Sequence, residues 1–148
     1  MIDEFLVRPG QNGQPRLRLL PAQTATDTPK VMLHGHCYQK AQPPASDGYP
    51  NGVGATQAML EAFGYKVSVV DSSCCGMAGA FGYEAEHFEL SMKVGEMSLF
   101  PALRAAQKNS NGKVIFSASG VSCQAQIEDG VKQKPVHPVV LVQQRLIV

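Results

Sequence analysis

Short apolar runs that alternate with helical patterns constrain this chain more than any other feature. Lys30-Val-Met-Leu-His34 is a short apolar run closed by Gly35, Lys66-Val-Ser-Val-Val-Asp71 is a second, and Lys113 to Phe116 is a third. Between the first two, Ala55, Met59, Ala62 and Phe63 fall at i, i+4, i+7 and i+8. A helix over Val53–Phe63 follows, with Gly64 at its C-terminal cap. Between the second and third runs, Leu90, Val94, Met97 and Leu103 mark one stripe of a long helical pattern from Glu84 to Gln107. Pro101 is expected to kink it or to start a second helix. Ser117 to Ser122 reads as a small-residue turn and Cys123 to Asp129 as a short helix. Pro135 to His137 reads as a fourth short strand, and Pro138 suits the first turn of a last helix through Leu146. Strands that alternate with helices at this spacing form a parallel sheet with right-handed crossovers. The expected fold is therefore α/β, a three-layer Rossmann-like domain with a small parallel sheet of three or four strands over residues 30–148. Residues 1–29 read as a lead-in: a helix stub at Asp3–Val7, a turn at Gly10–Gln14 and an edge strand at Leu17–Leu20. Gln42 to Gly52, rich in proline and glycine, reads as a surface loop.

All four cysteines follow these runs. Cys37 comes after the first, the pair Cys74-Cys75 after the second, and Cys123 after the third, with His137 behind the expected fourth strand. In a parallel sheet these positions share the carboxyl edge, where open α/β sheets bind their ligands. Residues far apart in sequence can therefore converge. A formal charge of +1 gives no electrostatic reason to expect nucleic acid or an anionic membrane, and no apolar run approaches the roughly 20 residues of a transmembrane helix. The acidic start, Met1-Ile-Asp-Glu-Phe-Leu, is unlike a secretion signal, so a cytoplasmic, reducing compartment is expected. There, four cysteines point to metal ligands or reactive thiols rather than disulfides. Four thiolates suit a tetrahedral zinc or an iron–sulfur cluster. The vicinal pair favours the cluster, because successive side chains diverge and one small ion is hard to grip with both. Gly76, Gly79 and Gly82 would let backbone approach a bulky inorganic core and donate N–H groups to sulfur.

His34-Gly-His-Cys-Tyr-Gln-Lys40, Ser73-Cys-Cys-Gly-Met-Ala-Gly79 and Ser119-Gly-Val-Ser-Cys-Gln124 together resemble the cysteine-rich CCG domain. That domain occurs in heterodisulfide reductase, in the iron–sulfur subunit of glycolate oxidase and at the end of long FAD-linked oxidases. The likeness is strongest to the D-2-hydroxyglutarate and D-lactate dehydrogenase type and covers about residues 30–145. It implies an electron-transfer domain whose Cys37, Cys74, Cys75 and Cys123 hold an iron–sulfur cluster. It also implies that the FAD and ferredoxin-like domains that are its partners lie elsewhere in a longer chain, of which this is the second, carboxyl-terminal CCG copy. The family pattern closes with C-x-x-C, but its first position here is Gly120. Non-cubane clusters of the heterodisulfide reductases use an additional cysteine, so the implied type is a four-cysteine [4Fe–4S] cluster. Alone, the chain is expected to have no dehydrogenase activity.

Around the cysteines, His36, His137, Gly76 and Met77 are the candidates for contact with the cofactor or its ligands. His34, at a strand end, reads first as a hydrogen-bonded structural residue, and His87 as a surface or packing residue. Gln39 and Lys40 could meet a cluster's charge, although a solvated lysine is the ordinary case. Met59, Met92 and Met97, at helical spacing, read as core. The alternative to electron transfer is a zinc-binding structural or docking module with no redox role. Thiol catalysis by Cys74-Cys75 lacks an identifiable resolving partner or general base.

Overall fold

The computed structural model describes residues 2–14, 16 and 28–146; the edge strand expected at Leu17–Leu20 lies outside them. Three parallel strands, β1 (Lys30–His34), β2 (Lys66–Val69) and β3 (Ile115–Ala118), form one sheet in the order β2-β1-β3. Register pairs Leu33 with Val69 on one side and with Ser117 on the other. Strand alternation then serves two faces. Val31 and Leu33 face Val67, Met59 and Leu60, together with Leu141 and Val142. Met32, on the opposite face, packs with Phe116, Ala118, Phe100 and Ile127. Two cores on two faces of one sheet make the three layers expected from the sequence.

One face is covered by α3 (Gly52–Ala62) and α7 (Pro138–Gln143), and the other by α4 (Phe88–Met97), α5 (Leu99–Asn109) and α6 (Val121–Val131). Pro101 acts as expected. It offers no N–H to the Met97 carbonyl and its ring would crowd that carbonyl, so α4 ends at Met97 and α5 starts at Leu99. The stripe assigned to α4 is corrected: Leu90 is 53% exposed and Met97 81%, so Met97 is not core. This helix buries its small residues instead, Ser91 and Gly95. A Cβ on Gly95 or on Gly130 would strike the Phe100 ring, so two glycines make the seat for one large side chain. The expected fourth strand is reduced to a single parallel bridge between Ser117 and Val136. Ser117 and Ala118, read as turn, are the buried end of β3, and α6 runs longer than expected because Cys123, Gln126 and Ile127 share its core face. The opening helix α1 (Ile2–Val7) is docked by Asp3, buried against Gln39 and Thr56.

With β1 central, the chain leaves for β2 on one side and later crosses to β3 on the other. The loops after β1 and β3 therefore part at a topological switch point, where open sheets form a crevice.

Candidate metal centre

Cys37 begins α2 (Cys37–Lys40), one residue past His36, which caps that helix. Cys74 and Cys75 sit on the turn after β2, and Cys123 occupies the first turn of α6 after β3. Three strand ends thus bring four thiols together. Their environments differ: Cys37 is exposed, Cys74 half-buried, and Cys75 and Cys123 buried. The vicinal pair divides its sulfurs. Burial raises the Cys37 thiol, and the neighbouring Cys74 sulfur, hydrogen-bonded to it, raises it further. Cys75 turns inward to Cys123. A hydrogen bond from the Cys123 thiol holds Cys75 far below the ordinary thiol range, to about 4, with help from His34 and the Met77 backbone N–H against the opposing effect of burial. Cys123 is correspondingly driven upward, first by that hydrogen bond and then by burial. The opposed shifts favour a pair in which one proton is kept between the two sulfurs.

His34 is the residue whose place the sequence understates. It is fully buried, and its ligand atom and the sulfurs of Cys75 and Cys123 all lie within 4.8 Å of one another. Nδ1 meets Ser72 Oγ at 3.1 Å, while Nε2 is buried without a hydrogen-bond partner. A buried ring nitrogen left unmatched beside two thiols fits a site built to receive a metal or its ligating sulfurs. Strand alternation carried the signal: His34 is two residues from Met32 and shares its face, which is the face of the cysteines.

The turn that holds the pair is shaped by α4. Gly76 has φ of +100°, and a Cβ there would run into the Ser91 carbonyl. Gly82 likewise makes room for Ser91 and for Met77. These two glycines therefore serve close approach to a helix. One expected role is present as well, since the Gly76 N–H donates to Cys74 Sγ at 3.3 Å. Met77 is buried in the same core cluster as Cys75 and Cys123. Gln126 of α6 donates to the Ser91 carbonyl at 2.9 Å and so ties α4 across the turn.

Gln39 is a structural tie. Its side chain donates to Thr56 Oγ1 at 2.8 Å and accepts from Ser119 Oγ at 2.8 Å and from the His36 N–H at 3.1 Å. It thereby locks the Cys37 helix to the turn before Cys123. His36 accepts the Tyr38 N–H on Nδ1 at 3.2 Å, so a neutral ring carries its proton on Nε2. That makes it a hydrogen-bond donor rather than a metal ligand in this arrangement. Its ring fills the space beside Gly120, where a Cβ would lie 3.2 Å from Cys123 Sγ. The space that a side chain at position 120 would enter is thus taken up by an imidazole. His137 caps α7 in the same way, accepting the Val139 N–H on Nδ1. With His36 and Gly120 it lines a cavity of about 330 Å³, outside the buried group of His34, Cys75 and Cys123. His87 stacks on Phe81 at 3.9 Å, a packing role as expected.

In sequence, the chain is 28% identical to the D-2-hydroxyglutarate dehydrogenase of Pseudomonas putida over 95% of its own length and 14% of that protein. It is 30% identical to the D-2-hydroxyglutarate dehydrogenase of Escherichia coli over 71% of the chain and 9% of that protein. It is also 30% identical to one subunit of the anaerobic glycerol-3-phosphate dehydrogenase of Escherichia coli, over 56% of the chain and 19% of that relative. The chain therefore spans between 9% and 19% of the length of these relatives. No family model matches it, and no solved structure matches it significantly.

Proposed function

From a chain homologous to one section of the D-2-hydroxyglutarate dehydrogenases, we propose a cluster-binding domain, residues 30–148, that carries electrons within a flavin-dependent oxidoreductase acting on a 2-hydroxy acid. Cys37, Cys74, Cys75 and Cys123 would hold an iron–sulfur cluster of the [4Fe–4S] type, which supplies one-electron transfer when bound. FAD and a ferredoxin-like segment would belong to other parts of the full-length protein. The observation that carries this reading is the division of the vicinal pair: Cys75 is buried within 4.8 Å of Cys123 and His34, while the half-buried Cys74 stands outside that group. A single ion grips two successive sulfurs poorly, whereas a cluster offers separate irons. The protein's own share is to fix the four sulfurs, to keep the inner two dry, and to offer N–H donors, Gly76 to Cys74 and Met77 to Cys75.

One observation favours a second reading. The close group of His34, Cys75 and Cys123 is of the right kind for a single zinc ion, which would make the domain a structural or docking module. Reconstitution under anaerobic conditions with iron and sulfide, repeated with Cys75→Ser, separates the two. Iron and acid-labile sulfide in equal amounts, lost in the variant, support the electron-transfer reading. One tightly bound zinc with no uptake of iron overturns it.

A further inference from the structure

We propose that Lys40 is the positioning residue that fastens the Cys74-Cys75 turn to the Cys37 helix and supplies the positive charge of the metal centre. The second half of this rests on the metal-binding reading above; the first half does not. Lys40 closes the short helix that Cys37 opens, three residues on. Its stem passes over Gly35, where a Cβ would come within 3.3 Å of Lys40 Cε. The ammonium then crosses to the other loop and donates to the Ser72 carbonyl, to the Ser73 carbonyl at 3.1 Å and to Ser72 Oγ at 3.5 Å. Three N–H donors thus meet three acceptors on the residues just before Cys74. Lysine ordinarily keeps its strongly hydrated head in water. Here it is partly buried, and burial lowers its pKa while Cys37, Cys123, Cys74 and Cys75 together pull it back up. The cation thus stands on the backbone immediately before Cys74 and at the end of the helix that Cys37 begins.

The charge has a redox consequence. Uptake of an electron makes the centre more negative, and a nearby fixed cation favours that state, which raises the potential. Ser72 is also the hydroxyl that meets His34 Nδ1, so the fastening reaches the buried imidazole beside Cys75.

Three variants test both halves. In metal-free protein, hydrogen exchange over residues 71–79 is expected to quicken about tenfold in Lys40→Met and to stay near wild type in Lys40→Arg. Unchanged exchange in Lys40→Met overturns the fastening, whatever the metal result. In protein reconstituted with iron and sulfide, Lys40→Gln keeps N–H donors and loses the charge. Its reduction equilibrium is expected to fall about tenfold, or about 59 mV for one electron, while Lys40→Arg stays near wild type. A potential unmoved in Lys40→Gln overturns the electrostatic role. Should Lys40→Met fail to give the wild-type circular dichroism spectrum, exchange in Lys40→Gln replaces it, expected to lie between wild type and tenfold. Exchange equal to wild type there overturns the fastening. Failure of the wild type to take up iron counts against the metal-binding reading and leaves the exchange result to decide the fastening.

Discussion

Cys75 and Cys123 form a buried contact in which one sulfur keeps a charge because the other keeps a proton. The sign of the resulting pH dependence can be worked out. Cys75 is held down to about 4 in the folded chain, against roughly 8.5 for a free thiol. Between those values the unfolded chain binds a proton that the folded chain does not, so stability rises with pH and is progressively lost on acidification. Cys37 and Cys123 are shifted upward, so above roughly pH 8.5 the folded chain keeps protons that the unfolded chain releases, and stability falls again. Metal-free protein should therefore melt at a lower temperature at pH 6 than near pH 8.5. Cys75→Ser should flatten that difference, and an undiminished slope in the variant would show that the shared proton is not its source. His34 gives a second prediction. His34→Gln should retain the wild-type content of iron and sulfide, because four cysteines suffice. Loss of all iron from this variant, measured by metal analysis, would make the imidazole a required ligand.

Much at the scale of elements was legible, and the misses share a cause. The three strands, the helix over α3 and the break forced by Pro101 all followed from apolar spacing and backbone chemistry. The convergence of the cysteines followed from their places after strands. The α4 stripe failed because this helix packs through small residues, Ser91 and Gly95, so its apolar side chains mark the wrong face. His34 and Lys40 were undervalued because their roles depend on Ser72 and Ser73, more than 30 residues away. No local pattern reports such a contact. The Gly76 turn is the element on which the site depends most. Gly76→Ala places a Cβ in the Ser91 carbonyl and an L-residue at φ of +100°, a backbone cost of about 1–3 kcal/mol before overpacking is added. Urea unfolding should show at least that loss, with iron uptake impaired. Gly95→Ala, whose Cβ would meet the Phe100 ring first, should cost about 1–3 kcal/mol and leave iron uptake intact. Equal effects of the two on iron uptake would contradict the special place of the turn.

For the whole molecule, apolar cores lie on both faces of the three-stranded sheet. Metal-free protein should therefore unfold cooperatively on heating, unlike a zinc finger, which is unfolded without its ion. A broad transition without a cooperative step in calorimetry would count against this. With the flavin placed in another part of the full-length protein, as proposed, the chain alone should neither bind FAD stoichiometrically nor oxidise D-lactate or D-2-hydroxyglutarate. Either activity would relocate the flavin chemistry to these residues. No helix among the described residues is long and apolar enough to cross a membrane. The decisive question is whether the four sulfurs hold one metal or several. Iron-edge X-ray absorption on anaerobically reconstituted protein answers it directly. The expected spectrum has iron in an all-sulfur shell with a second shell of iron scatterers. Iron without metal neighbours, or protein that refuses iron and holds a single zinc between nitrogen and sulfur, would contradict a cluster.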